Sequence, residues 1–217
     1  MEQGDIFSVG RETVGLDREE LRRRLLRFES PLPSSRRRVR GDHDLNPGMR
    51  PPAQLRPAAV LVPVVEREDG LRILLTRRTD HLAAHAGQIS FPGGGVEPED
   101  ENEMAAALRE TEEEIGLPPE RVEVVGRLDT YVTRSGFRIV PYVGIIRPPF
   151  TLRPDPYEVA EVFEVPLDIV LDPGNPERHS RTVQGTQRYF YVFQHEDRFI
   201  WGATAGILVN FRQALMS

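Results

Sequence analysis

Residues 95–117 read GVEPEDENEMAAALRETEEEIGL. Positions 102–115 contain no Pro or Gly and are rich in good helix formers, which predicts a helix. Met104, Leu108, Thr111 and Ile115 recur at the four, three, four spacing of one apolar stripe, so that face is expected to be buried. Glu110, Glu113 and Glu114 stand at i, i+3 and i+4 on roughly the opposite face, which predicts three carboxylates sharing one volume. Unaided, they would repel and raise one another's pKa. A cluster of hard oxygen ligands suits Mg²⁺ or Mn²⁺, and such a cation also neutralises phosphate. Gly116 is the expected C-terminal stop. Glu101, nine residues before Glu110, is half a turn out of phase and takes a supporting role to the metal or at the helix cap. The competing reading is a solvated acidic face. Against it stand the fixed offsets of Gly95, Glu101, Arg109, Glu110, Glu113, Glu114, Gly116 and Leu117.

The 217 residues, 39% of them hydrophobic, fit one domain with an appendage and a substantial core. No Cys is present, which excludes disulfides, thiol nucleophiles and thiolate metal sites. No apolar run approaches membrane-spanning length, and MEQGDIFSVGRETVG lacks the plan of a signal peptide, so a cytoplasmic protein with no membrane partner is expected. The net charge of −6 argues against general nucleic-acid binding and requires local metal or Arg to hold an anionic substrate. Every basic residue is Arg, never Lys, which suits bidentate phosphate contacts.

Residues 1–52 look separate from the rest of the chain. Asp17 is a candidate N-cap for DREELRRRLLRFE, with Leu21, Leu25 and Phe28 as its apolar stripe. SPLPSSRRRVRGDHDLNPGMRPP reads as a basic, Pro-rich linker; its Arg36, Arg37, Arg38 and Arg40 are expected to face solvent, with phosphate or an acidic partner as the alternative. Residues 53–217 carry the main domain. Strands are expected at RPAAVLVPVVER, LRILLTRR, QISF, RVEVVGRLDTYVT, FRIVPYVGIIR and EVAEVFEVPL. A polar loop with Pro173, Gly174 and Pro176 comes next, then a QRYFYVFQHED–RFIWG hairpin and a closing ATAGILVNFRQAL helix. Several strands with two long helices predict an α/β sandwich. Because the acidic helix and the glycines lie beyond Pro51, residues 1 to about 45 are expected to be dispensable for chemistry.

The 95–117 pattern resembles the Nudix box, the signature of the Nudix hydrolase superfamily; Thr111 stands where an aliphatic residue is usual. Upstream, LLTRRTDHLAAHAGQISFPGGG (residues 74–95) resembles the signature of that superfamily's coenzyme A pyrophosphatase branch. Leu74, Leu75, Thr76, Arg78, Gly87, Phe91, Pro92, Gly93 and Gly94 match, while Thr79 replaces Ser or Ala and Ala83 replaces Arg. The resemblance covers about residues 53–217. It implies a Nudix fold, an α/β/α sandwich with a mixed sheet, and Mg²⁺- or Mn²⁺-dependent cleavage of a nucleoside diphosphate derivative, coenzyme A or an acyl derivative. It also implies Glu110 and Glu114 as metal ligands, Glu113 completing the cluster or orienting water, the Gly94 carbonyl as a further ligand, and Arg109 positioning a carboxylate. Gly93, Gly94 and Gly95 let backbone approach a diphosphate. Arg77, Arg78, Arg134 and Arg138 are the candidate phosphate-binding cations. Glu113, Glu158 and Glu161 are alternative general bases. Other Nudix substrates (ADP-ribose, NADH, a nucleotide sugar, an oxidised nucleoside triphosphate), a non-catalytic nucleotide-binding regulator and a homodimer are the remaining alternatives.

Overall fold

The computed structural model describes residues 16–29, 38–82 and 85–216; Arg36, Arg37, Ala83 and the side chain of Phe28 lie outside the described residues. The two-residue β1 (Arg40–Gly41) precedes the centre of the fold, β2 (Arg56–Arg67), an apolar run that turns through Glu68 and Asp69 into β3 (Gly70–Arg78). Two short strands come next, β4 (Ile89–Ser90) and the all-glycine β5 (Gly93–Gly95), then the acidic helix, α2 (Glu103–Ile115). Beyond it lie β6 (Val122–Arg127), β7 (Tyr131–Val132), β8 (Phe137–Ile146) and β9 (Val159–Pro166). β2 and β8 run parallel from Arg56↔Phe137 to Val65↔Ile146, and β1 runs parallel to β7. β3 and β5 pair antiparallel with β2, β6 and β7 with β8, and β9 with β3. The sheet is therefore mixed.

Side chains alternate across a strand, so β2 feeds both faces of the sheet. Val62 and Val64 join Ile73, Leu75, Val143 and Ile145 in the larger core. Ala59 packs with Ala106 and Ala107 of α2, and Val65 with Leu74, Ile115 and Ile146. α2 thus covers one face. The other is covered by α1 (Arg18–Glu29) and α4 (Gly202–Met216), the outer layers of an α/β/α sandwich.

α1 is joined to this core. The Glu20 N–H donates to the Asp17 carboxylate at 2.8 Å, the expected N-cap. Leu21 and Leu25, one turn apart, are fully buried against β6 and α4; Gly126 leaves room for Leu25, whose Cβ would lie 3.2 Å from any Cβ placed there. Arg24 donates to the Leu215 carbonyl at 2.7 Å. A truncation that removes α1 therefore opens the core even though it spares the acidic helix. Leu25→Ala is expected to cost about 2–5 kcal/mol of stability. Denaturant unfolding checks this; a loss under ~1 kcal/mol would mean that α1 is only loosely attached.

Three local readings change. The single strand expected over 121–133 breaks between β6 and β7, with a bulge against β8 at Val124/Gly126. The end of the strand expected through Leu167 becomes a short helix, α3 (Leu167–Leu171). The polar loop expected after Pro176 contains β10 (Glu177–Val183), which pairs with β11 (Thr186–His195), itself paired with β12 (Arg198–Trp201). β10 is almost entirely exposed, so ladder hydrogen bonds rather than an apolar alternation hold it.

Candidate active site

α2 is capped at both ends. Asn102, extended at φ −164°, accepts from the Ala105 N–H at 3.0 Å, and Gly116 closes the helix in the left-handed conformation at φ 67°. Glu101 is exposed outside the cap, so the capping role falls to Asn102. The helix is also rotated from the expected stripe. Met104 is 36% exposed, while Ala106, Ala107, Thr111, Glu114 and Ile115 are buried. Two small alanines let the helix settle closely on Ala59, and this brings Glu114 into the buried face.

The three glutamates consequently differ. Glu114 is 5% exposed and accepts from the Gly93 N–H at 3.3 Å and from Arg78 Nη1 at 3.4 Å. Glu110 is half-buried beside Gly94, where an added Cβ would fall 2.5 Å from the Glu110 carboxylate. Glu113 is exposed and meets Arg109 Nη1 at 3.1 Å. Glu158, on the loop before β9, reaches the same volume through Arg78 Nη2 at 3.5 Å. Among the described residues no three acidic or imidazole groups already converge on one point; the grouping runs through Glu110, Glu114 and Glu158, with Glu113 turned outward.

Arg109 organises the approach to this volume. Its guanidinium makes two bonds to Asp100, Nε at 2.9 Å and Nη2 at 3.0 Å, and also reaches Glu110 and the Gly95 carbonyl. Its hydrogen bond to Asp100 raises the Arg109 pKa further, and the same bond, with the Glu97 N–H, holds Asp100 below the usual carboxylate range. Asp100 was not legible as a site residue, because nothing in VEPED marks which carboxylate meets an arginine nine positions later.

Burial pushes Glu110 above its ordinary value, with Arg109 opposing and Glu113 and Glu158 adding repulsion. Burial likewise pushes Glu114 up to about 7, against the Gly93 N–H and Arg78 and reinforced by Glu158 and Glu110. Two part-desolvated, mutually repelling carboxylates against a backbone without Cβ atoms form a donor set that fits a hard divalent cation. Glu114's unfolded pKa is the ordinary 4.5, so between there and about 7 the metal-free folded state binds more protons than the unfolded one. Its stability should fall as pH rises through that window. Magnesium should then raise Tm more at pH 8 than at pH 6; equal shifts at both would mean that Glu114 does not hold the ion.

A cleft of about 560 Å³ opens beside these groups, lined by Arg78, Gly93, Gly94, Gly95, Arg134, Arg181 and Trp201 among others. Arg78 enters it because β3 is irregular against β9 at Arg77/Arg78, re-aiming the second arginine. Arg77 instead meets Glu161 at 3.3 Å, and Arg198 meets Glu161 at 2.5 Å. Arg138 is held by Glu103 at 3.1 Å. Neither Arg77 nor Arg138 lines the cleft, and Glu161, engaged by two arginines, stands apart from the Glu110–Glu114 volume. Arg181 escaped notice because its strand reads as loop.

The NUDIX domain family model matches residues 55–185. The chain is 44% identical over 160 residues to a Nudix hydrolase NudL of Shigella flexneri serotype 5b, whose function is uncharacterized, covering 73% of this chain and 82% of the relative. It is also 44% identical over 154 residues to the equally uncharacterized NudL of Escherichia coli K12, covering 70% and 79%. Among solved structures, a Nudix hydrolase of M. smegmatis, RenU, superposes with a TM-score of 0.46 at 24% identity over 55% of this chain and 78% of that one. The chain belongs to the Nudix family and is a pyrophosphohydrolase of nucleoside diphosphate derivatives.

Proposed function

We propose that the protein uses Mg²⁺ or Mn²⁺ to hydrolyse coenzyme A or an acyl-coenzyme A, giving adenosine 3′,5′-bisphosphate and 4′-phosphopantetheine. The observation that carries the hydrolysis is the pair Glu110 and Glu114, part-desolvated against Gly93 and Gly94, the glycines that line the cleft. Support for coenzyme A comes from the signature over residues 74–95. Glu110, Glu114 and the Gly94 carbonyl would hold the cation, which when bound supplies charge neutralisation at the phosphates and acidifies water.

The protein's own groups do the rest. The glycine backbone lets a diphosphate lie close to the helix. Arg78, between Glu114 and Glu158, can trade a carboxylate for a phosphate oxygen. Water adds to one phosphorus, the bridging P–O bond breaks, and a proton is left to be taken up. Glu158 is the base favoured here, because its arginine contact, Arg78 at 3.5 Å, is the one that can be given up to phosphate, whereas Glu161 is engaged by Arg77 and Arg198 and Glu113 by Arg109. Arg109 holds Asp100 and Glu110 in position rather than touching substrate.

Ala83, where the branch signature has Arg, favours a second reading, a substrate without a 3′-phosphate such as ADP-ribose or NADH. Comparing kcat/KM for coenzyme A, dephospho-coenzyme A, ADP-ribose and NADH at saturating Mg²⁺ separates the two. Coenzyme A is expected to lead by about tenfold or more over dephospho-coenzyme A, the scale of one charge-assisted contact. A lead for ADP-ribose would replace the substrate assignment and leave the hydrolysis standing.

A further inference from the structure

The small β10–β11–β12 sheet presents a face to the cleft whose composition its own folding does not explain. Arg181 and Arg188 lie directly opposite each other across β10 and β11, and like charges at such a position are unfavourable. The Nε of Arg188 is buried without a hydrogen-bond partner. The only carboxylate on these two strands, Glu177, is bonded to His179 at 2.7 Å. Arg181 is held by aromatic rings instead, its Cζ 4.9 Å from the Trp201 centroid and 5.9 Å from that of Phe190. Aromatic faces orient a guanidinium without cancelling its charge. By contrast, Arg77, Arg78 and Arg138 all meet carboxylates. Arg181 and Trp201 line the cleft that ends at Gly93–Gly95, and so does Arg134, whose backbone N–H is fixed by Asp42 at 2.7 Å.

We propose that Arg181 and Trp201, with Arg188 as the cross-strand neighbour of Arg181, form a second anion-binding subsite of the cleft, taking a phosphomonoester that the ligand carries in addition to its diphosphate. This rests on the reading of the cleft as a nucleotide site. The subsite supplies what Ala83 does not: a cation at the cleft, Arg181 of β10, reinforced by Arg188 of β11, both on a hairpin outside the signature motifs. A planar guanidinium oriented by Trp201 can engage phosphate oxygens in a bidentate manner. Binding the anion would also relieve the Arg181–Arg188 repulsion.

The test is calorimetric binding of adenosine 3′,5′-bisphosphate and of AMP, which needs no turnover. The wild-type protein is expected to prefer the bisphosphate by roughly ten- to a hundredfold. Arg181→Ala should remove most of that preference while leaving AMP affinity within about twofold, and Arg181→Lys should fall between, keeping charge without the planar fork. Arg188→Ala should act in the same direction. Arg147→Ala, at the far end of β8 beside Glu123, should change nothing. Arg181 is exposed, and thermal melts will confirm that its variants fold. Equal wild-type affinity for the two nucleotides overturns the proposal, and so does weakening of both alike in Arg181→Ala. Hydrolysis of coenzyme A, ADP-ribose and NADH followed in the same preparations keeps the two readings apart: absence of turnover with all three counts against the hydrolase, whereas the bisphosphate preference is read by binding alone.

Discussion

Glu114→Gln should lower kcat by at least ~10²-fold at saturating Mg²⁺, and Glu110→Gln should do the same, because each removes a charged ligand from the centre that stabilises the transition state. The two variants are separable from misfolding. In the metal-free protein the ionised Glu114 is a buried charge whose pKa has been pushed up to about 7, so its neutral isostere should be at least as stable at pH 8. Glu113→Gln should be milder, since Glu113 is exposed and leans on Arg109. Turnover near wild type in Glu114→Gln would take the helix out of the mechanism.

Gly94→Ala should be nearly as damaging, and for a steric reason. A Cβ there would lie 2.5 Å from the Glu110 carboxylate, well inside contact distance, so Glu110 or β5 must move. A displacement of about 1 Å among reacting groups costs on the order of 10²-fold. Gly95→Ala is the control, because nothing lies within 4 Å of a Cβ at that position. The pair of variants differs by one residue in sequence and should differ by about two orders of magnitude in kcat. Equal activity would mean that the glycine turn is not part of the site.

What could be read from the sequence was whatever a fixed spacing encodes. The helix with its C-terminal glycine, the central hairpin and the partner strand β8 follow from propensity and apolar runs, and Arg78 stands in a motif. What could not be read depends on how elements meet. The face of α2 was set by the close fit of Ala106 and Ala107 to Ala59 rather than by its largest apolar side chains, and this placed Glu114 inside and Glu113 outside. Arg77 and Arg78 are indistinguishable as neighbours, and the irregularity between them decides which one enters the cleft. β10 has no apolar alternation, so Arg181 could not be assigned to a wall. The deep burial of Leu21 and Leu25 likewise needed the partner surface of β6 and α4, which a short amphipathic helix does not announce.

Metal-dependent cleavage of a diphosphate bond at the Glu110–Glu114 pair can be followed by mass identification of the products formed from coenzyme A during a Mg²⁺ titration. Adenosine 3′,5′-bisphosphate and 4′-phosphopantetheine are expected in equal amounts, rising with Mg²⁺ and abolished by EDTA. Folded protein that releases no phosphomonoester from coenzyme A, ADP-ribose or NADH at any Mg²⁺ or Mn²⁺ concentration would contradict it.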